Sequence, residues 1–156
     1  MIKAIIYYTS TNHTLAYAKM LSKDLEIPYY SLIEAKEKLN KNDEVIYLSW
    51  ICAGKIKKLK QVKDKYKIKC IGMIGAYPKT EKYTNELKTN NSLHIPCFYL
   101  RGGIDYTKLK GINKIIVKMV GKVISKDNAE LAQLFEKGGN FVKEGNLKEI
   151  IDFIKK

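Results

Sequence analysis

Ala4-Ile5-Ile6-Tyr7-Tyr8-Thr9-Ser10-Thr11-Asn12-His13-Thr14 is the stretch on which the reading of this 156-residue chain turns. The run from residue 3 to 8 is apolar and β-rich without alternation, the pattern of a strand covered on both faces. It passes directly into a hydroxyl-rich segment that opens a helix: Leu15, Ala18, Leu21 and Leu25 recur at helical spacing, and the pattern stops before Ile27-Pro28. A strand that runs into a polar loop at a helix N-terminus makes an anion site, because the orphan N–H groups of the first turn and the positive end of the helix dipole point there. Thr9, Ser10, Thr11 and Thr14 add hydroxyl donors, and Asn12 is among the few non-glycine residue types that enter left-handed backbone. The same residues would also serve as an ordinary helix cap in a polar loop, so their context decides.

Working outward, Tyr29-Tyr30-Ser31-Leu32 reads as a second strand at an edge, residues 36–41 as a short charged piece, and residues 44–50 as a third strand. Ile51-Cys52-Ala53-Gly54 is expected as the loop at that strand's carboxyl end, followed by a lysine-rich helix over 55–66. Residues 68–75 predict a fourth strand, Ala76-Tyr77-Pro78 its exit loop, Thr80 the cap of a helix over 81–88, and residues 95–100 a fifth strand. Strands alternating with helical patterns predict an α/β fold with a parallel sheet and right-handed crossovers. In a doubly wound five-stranded parallel sheet of order 2-1-3-4-5, with helices on both faces, the exits of the first, third and fourth strands are neighbours at the switch point. Residues 9–14, 49–54 and 76–78 are therefore expected around one crevice.

The spacing of Thr9, Thr11, Asn12 and Thr14 resembles the FMN-phosphate loop of flavodoxins, where Thr or Ser, any residue, Thr, Gly, any residue, Thr wraps the terminal phosphate; Asn12 stands where that family usually has Gly. The resemblance to the flavodoxin superfamily covers essentially the whole chain. It implies an FMN phosphate held by Thr9, Ser10, Thr11, Asn12, His13 and Thr14, one face and edge of the isoalloxazine against Ser49, Trp50, Ile51, Cys52, Ala53 and Gly54, and the other face against Ala76, Tyr77 and Pro78. Aromatic walls at Trp50 and Tyr77 would stack on the flavin and disfavour its anionic reduced form, while Ala53 and Gly54 would let backbone approach near N5. Taken singly, either aromatic also reads as core packing. Receiver domains share the sheet order, but the places of their acidic cluster and phosphoacceptor Asp hold Thr9-Ser10 and Ser49-Trp50. A nicotinamide-binding domain is disfavoured because no Gly-x-Gly-x-x-Gly follows the first strand.

Where a short flavodoxin enters its last helix, this chain inserts Arg101-Gly102-Gly103-Ile104-Asp105-Tyr106 and a further helix. Ile112, Ile115, Ile116, Met119, Val120, Val123 and Ile124 fall on one face of it, with Lys114, Lys118 and Lys122 on the polar side. This amphipathic segment, at about 102–126, resembles the flavodoxin-type menaquinone-linked protoporphyrinogen oxidases, in which a small-residue pair, a Tyr and a Met-containing amphipathic helix follow the fifth strand. Residues 100–122 carry that likeness. The helix is expected to dock on the domain or, being basic, to lie in a membrane interface. Residues 129–135 and 147–154 read as closing helices around Gly138-Gly139, within a single flavodoxin-like domain over 1–156.

The net charge of +13 would attract nucleic acid, anionic lipid or an acidic protein, or would only solvate helix faces. Nucleic-acid binding is disfavoured, since the chain holds a single Arg among its lysines. Cys52, Cys70 and Cys97 lack disulfide-framework or zinc spacing, and no signal or membrane-spanning run is read, so a soluble cytoplasmic protein is expected. The functional expectation is an FMN-binding electron-transfer protein carrying one or two electrons, with an acidic redox partner protein steered by Lys55, Lys57, Lys58, Lys60, Lys108, Lys110 and Lys114 at the crevice rim. The alternative is an oxidoreductase acting on protoporphyrinogen or a quinone at the membrane surface. That would want an anion-binding group, for which Arg101 is the nearest candidate; its other reading is a structural salt bridge. No catalytic residue is assigned: His13 belongs to the phosphate loop and His94 to the surface before the fifth strand.

Overall fold

The protein is described from a computed structural model covering residues 1–124, 126 and 128–156; Ser125, inside the expected helical segment, and the side chain of Ile124 lie outside the described residues. The chain runs β1 (Ile2–Tyr8), α1 (His13–Leu25), β2 (Tyr29–Ser31), α2 (Leu32–Lys38), β3 (Glu44–Cys52), β4 (Lys55–Ile56), α3 (Leu59–Lys63), β5 (Lys67–Gly75), α4 (Glu81–Asn90) and β6 (Cys97–Arg101). The sheet order is β2-β1-β3-β5-β6, all parallel, with the two-residue β4 antiparallel to the end of β3. With β4 set aside this is the expected 2-1-3-4-5 order, a flavodoxin-like α/β fold.

The unalternating apolar runs explain how the sheet is covered on both faces. Along β3, Val45 and Tyr47 point to one face and Ile46 and Leu48 to the other, and all four are fully buried. The first face packs on Leu32 and Ala35 of α2, Leu59 and Val62 of α3 and Leu87 of α4. The second packs on Tyr17, Ala18 and Leu21 of α1 and on Ile150 of the last helix.

Four local expectations are corrected. Ile51 and Cys52 continue β3 and pair with Ile56 and Lys55, so the expected loop is a hairpin turning on Ala53 (φ 51°) and Gly54 (φ 75°). Two successive left-handed residues form the primed turn that matches strand twist, and glycine supplies half of it at no steric cost. The hairpin takes up Lys55 and Ile56, so the lysine-rich helix shrinks to α3, of which Leu59 and Val62 are buried. Helix α2 begins at Leu32, not near residue 36, because Ser31 and Glu34 form a capping box: Glu34 N donates to Ser31 Oγ at 3.2 Å and Ser31 N donates to Glu34 Oε2 at 2.8 Å. Cys97 rather than Ile95 opens the fifth parallel strand, β6.

After β6 come β7 (Gly103–Ile104), α5 (Gly111–Ile124), α6 (Ala129–Lys137), β8 (Gly139–Asn140) antiparallel to β7, a 3₁₀ turn (Glu144–Leu147) and α7 (Lys148–Lys155). Ile104, Leu109, Leu131 and Leu134 form a small third core, against which Ala76, Tyr77, Val117 and Phe135 pack. The apolar stripe of α5 is not docked as a unit. Val120 faces inward, Ile116 is half-buried, and Ile112, Ile115, Met119 and Val123 are exposed. At 100° per residue, the sector of Val117 and Val120 that meets the rest of the protein lies about 125° round the helix from those four residues. Among the described residues, no helix is long and apolar enough to cross a membrane.

Candidate functional site

A crevice of about 300 Å³ opens at the carboxyl ends of β1, β3 and β5, where the strand order reverses. The first wall is the β1–α1 loop. Asn12 takes the left-handed conformation (φ 69°) and its N donates to Thr9 Oγ1 at 3.0 Å, while Thr11 Oγ1 and His13 Nδ1 lie 2.8 Å apart. Thr14 is 1% exposed, and its Oγ1 is buried with no hydrogen-bond partner. The second wall is Trp50, Ile51, Cys52, Ala53 and Gly54. The Trp50 Nε1 is also buried and unpartnered, and Lys57 Nζ lies 5.4 Å from the indole centroid. The third wall is Ile74, Gly75, Ala76 and Tyr77.

The three expected segments thus meet, with three exceptions. Asn12 turns away from the main crevice to its polar flank. Ser49 is fully buried beneath it, its Oγ donating to Lys57 O at 2.8 Å and so holding the hairpin. Pro78 falls beyond the lining residues.

Residues that the sequence reading did not assign complete the site. Tyr83 of α4 lines the crevice with its ring 4.7 Å from that of Tyr77, and burial pushes its hydroxyl pKa up to about 12. The signal was available: Tyr83 N donates to the Thr80 cap, which sets this side chain in the first turn beside the exit loop. Tyr99 OH donates to Tyr77 O at 2.6 Å and pins that loop. Gly103, Ile104, Leu109, Val117, Val120 and Phe135 of the inserted segment roof the crevice. The roof reaches so far because the chain passes tightly at Gly102, where a Cβ would lie 2.6 Å from Ile74 Cγ2 and 3.2 Å from His13 Cβ.

Arg101 does not enter the crevice. Its Nε donates to Ala76 O at 3.1 Å and its guanidinium stacks 3.5 Å from the Phe141 ring centroid, so neither the carboxylate-binding nor the salt-bridge expectation describes it. Of the rim lysines, Lys60 pairs with Asp64 at 2.6 Å and Lys55 donates to Asn90 O, while Lys57 and Lys58 lie over Trp50 and Tyr8. Lys108 and Lys110 share a polar flank with Ser10, Asn12 and Thr107 outside the β1–α1 wall. Burial lowers the His13 pKa, with Asp105 opposing and Lys108 adding to the shift. Burial raises the Cys52 pKa against the pull of Lys57, which keeps a thiol in the second wall. Cys52, Cys70 and Cys97 are free, and no metal-ligand cluster occurs among the described residues.

Two desolvated donors, the Thr14 hydroxyl and the Trp50 indole N–H, cost about 1–3 kcal/mol each while they lack an acceptor. Together with aliphatic and aromatic walls and a basic flank, they suit a ligand with an anionic head and a planar apolar body. Comparison of the sequence with protein-family models and with curated proteins finds no match, so this geometry carries the functional reading.

Proposed function

We propose that the crevice binds FMN and that the protein is a flavodoxin-like redox protein carrying one or two electrons. The observation that carries the reading is the pair of buried, unpartnered donors, Thr14 Oγ1 and Trp50 Nε1, in a crevice whose first wall is a hydroxyl-rich helix N-terminus. Thr9, Ser10, Thr11, His13 and Thr14 would hold the phosphate, and Lys108 and Lys110 supply positive charge beside Ser10 and Asn12. Trp50 on one side and Tyr77, backed by Tyr83, on the other are the candidate faces for the isoalloxazine. Bound flavin supplies one- and two-electron chemistry; the chain's own contribution is to orient the ring, exclude water and set its potential. As an electron carrier in the cytoplasm it would dock an acidic redox protein at the rim near Lys57 and Lys58.

The roof favours a second reading, an oxidoreductase whose substrate is apolar. Ile104, Leu109, Val117, Val120 and Phe135 cover a crevice that an electron carrier would leave open at the flavin edge. Protoporphyrinogen or a quinone is the substrate class that the sequence resemblance suggests. Adding FMN to the purified protein tests the main reading: a bound flavin spectrum and quenched emission are expected, and a colourless protein that does not take up FMN overturns it. Assaying the loaded protein for turnover of protoporphyrinogen or a quinone, against electron transfer to an acidic acceptor protein, separates the two.

A further inference from the structure

Apart from Met1 and Ile33, the large apolar side chains that stand exposed among the described residues gather on one face of α5: Ile112 at 70%, Ile115 at 59%, Met119 at 61% and Val123 at 76%. Their spacing of three, four and four residues makes one continuous ridge over about three turns. The adjoining and far sides of the helix are committed, since Val117 and Val120 roof the crevice, and a Cβ at Gly121 would fall 2.5 Å from the Phe135 ring of α6. The ridge is therefore not a core face awaiting a small shift. Lys114, Lys118 and Lys122 follow one another at four-residue steps along one flank of it. Between residues 105 and 127 the chain has six lysines, Lys108, Lys110, Lys114, Lys118, Lys122 and Lys126, against Asp105 and Asp127 at its two ends; Asp105 pairs with Lys108 at 3.7 Å, and Lys118 lies over the Tyr106 ring at 5.5 Å.

From this arrangement we infer that α5 is an interfacial helix that seats on an anionic lipid bilayer, ridge down. An apolar ridge in water is unfavourable unless something covers it, and six lysines against two aspartates around it favour a covering surface that is negative. A second copy of the chain would bring two such lysine fields together, and their repulsion opposes self-association through this face. A 14-residue helix lying flat gains from burying the ridge while its lysine stems snorkel to the headgroups. The inner face of the same helix lines the crevice, so the bilayer would lie about one helix diameter, roughly 10 Å, from it. The inference does not depend on which ligand the crevice takes.

The test is co-sedimentation of the full chain with phosphatidylcholine vesicles and with mixed phosphatidylcholine–phosphatidylglycerol vesicles, across a salt series. Binding is expected to the mixed vesicles, to weaken about tenfold or more between low and high salt, and to fall by a further factor of about a hundred in Ile115→Ser/Met119→Ser/Val123→Ser. These residues are exposed, so the variant should keep its circular dichroism and thermal midpoint. Met119→Trp gives a second readout, a blue-shifted emission on adding mixed vesicles that the wild type, with Trp50 in the crevice, lacks. No binding to the mixed vesicles overturns the inference, and so does equal binding by the triple variant, which would reduce the effect to diffuse charge. A wild-type dimer in size-exclusion chromatography that the triple variant dissolves would also overturn it, by assigning the ridge to a second copy.

Discussion

Helices α1 and α5 are nearly the same length and both repeat apolar residues at helical spacing, yet they meet opposite fates. Helix α1 lies against the sheet and buries Tyr17, Ala18 and Leu21 completely. Helix α5 spends two aliphatic residues, Val117 and Val120, on the crevice roof and leaves its longest apolar ridge in solvent. The period of a pattern tells that a helix has an apolar face; what covers that face depends on where the helix axis is laid. For α1 the axis is set by a strand that enters it directly and by the sheet beneath. For α5 it is set by the glycine passage at Gly102 and by α6, which turn a different sector inward.

The largest contrast is in stability. Leu21→Ala should cost about 2–5 kcal/mol, the range for emptying a packed site, whereas Met119→Ala should stay within about 0.5 kcal/mol. Urea denaturation of the two variants in vesicle-free buffer measures both. A Met119 cost comparable with that of Leu21 would mean that the ridge is covered within the protein and would erase the contrast.

Next in size is an effect at the N-terminal end of α1. Thr14→Val removes a buried hydroxyl that has no partner, so the ligand-free protein should hold or gain stability. The same change should weaken FMN binding by about 1 kcal/mol or more, roughly fivefold to tenfold, if that hydroxyl donates to the phosphate. Calorimetric titration of FMN beside thermal unfolding of the ligand-free form gives the two signs separately. Unchanged affinity would return the loop to an ordinary helix start, as unengaged with ligand as the ridge of α5.

The smallest effect couples the two regions. The His13 pKa is lowered in the folded protein by burial at α1, and the groups that modulate it, Asp105 and Lys108, come from the segment leading into α5. Below about pH 6.5 the unfolded chain takes up a proton that folded His13 refuses, so this contribution to stability is complete above that pH and declines as pH falls toward the lowered value. Comparing urea midpoints at about pH 7.5 and about pH 5.5, the decline should be shallower in His13→Gln than in the wild type. Equal slopes would show that His13 is more open to water than its 9% exposure implies, and that the chain at residues 102–108 stands off the loop.

The β1–α1 loop and the strands were legible in the sequence because both are local: apolar runs, a hydroxyl cluster and strand exits are encoded within a few residues of each other. The same locality made Asn12 readable as left-handed and Thr80 as a cap. The hairpin at Ala53-Gly54 was not readable, since alanine seldom takes φ 51° and does so here while the end of β3 pairs with β4. The use of Arg101 on Phe141 and the pinning of the Tyr77 loop by Tyr99 each depend on a partner far away in the chain.

By itself, then, the sequence determined the α/β architecture, because strand and helix patterns alternate along it, while the strand order was an expectation carried by the resemblance to flavodoxins, and the sheet has that order. Only the tertiary structure decided that the crevice has a roof, that its two key donors are left unpartnered, and that α5 turns its lysine-flanked ridge outward. These are properties of how elements distant in sequence are laid against each other. A buried hydroxyl without an acceptor, or an apolar face without a cover, exists only once every neighbour has been placed.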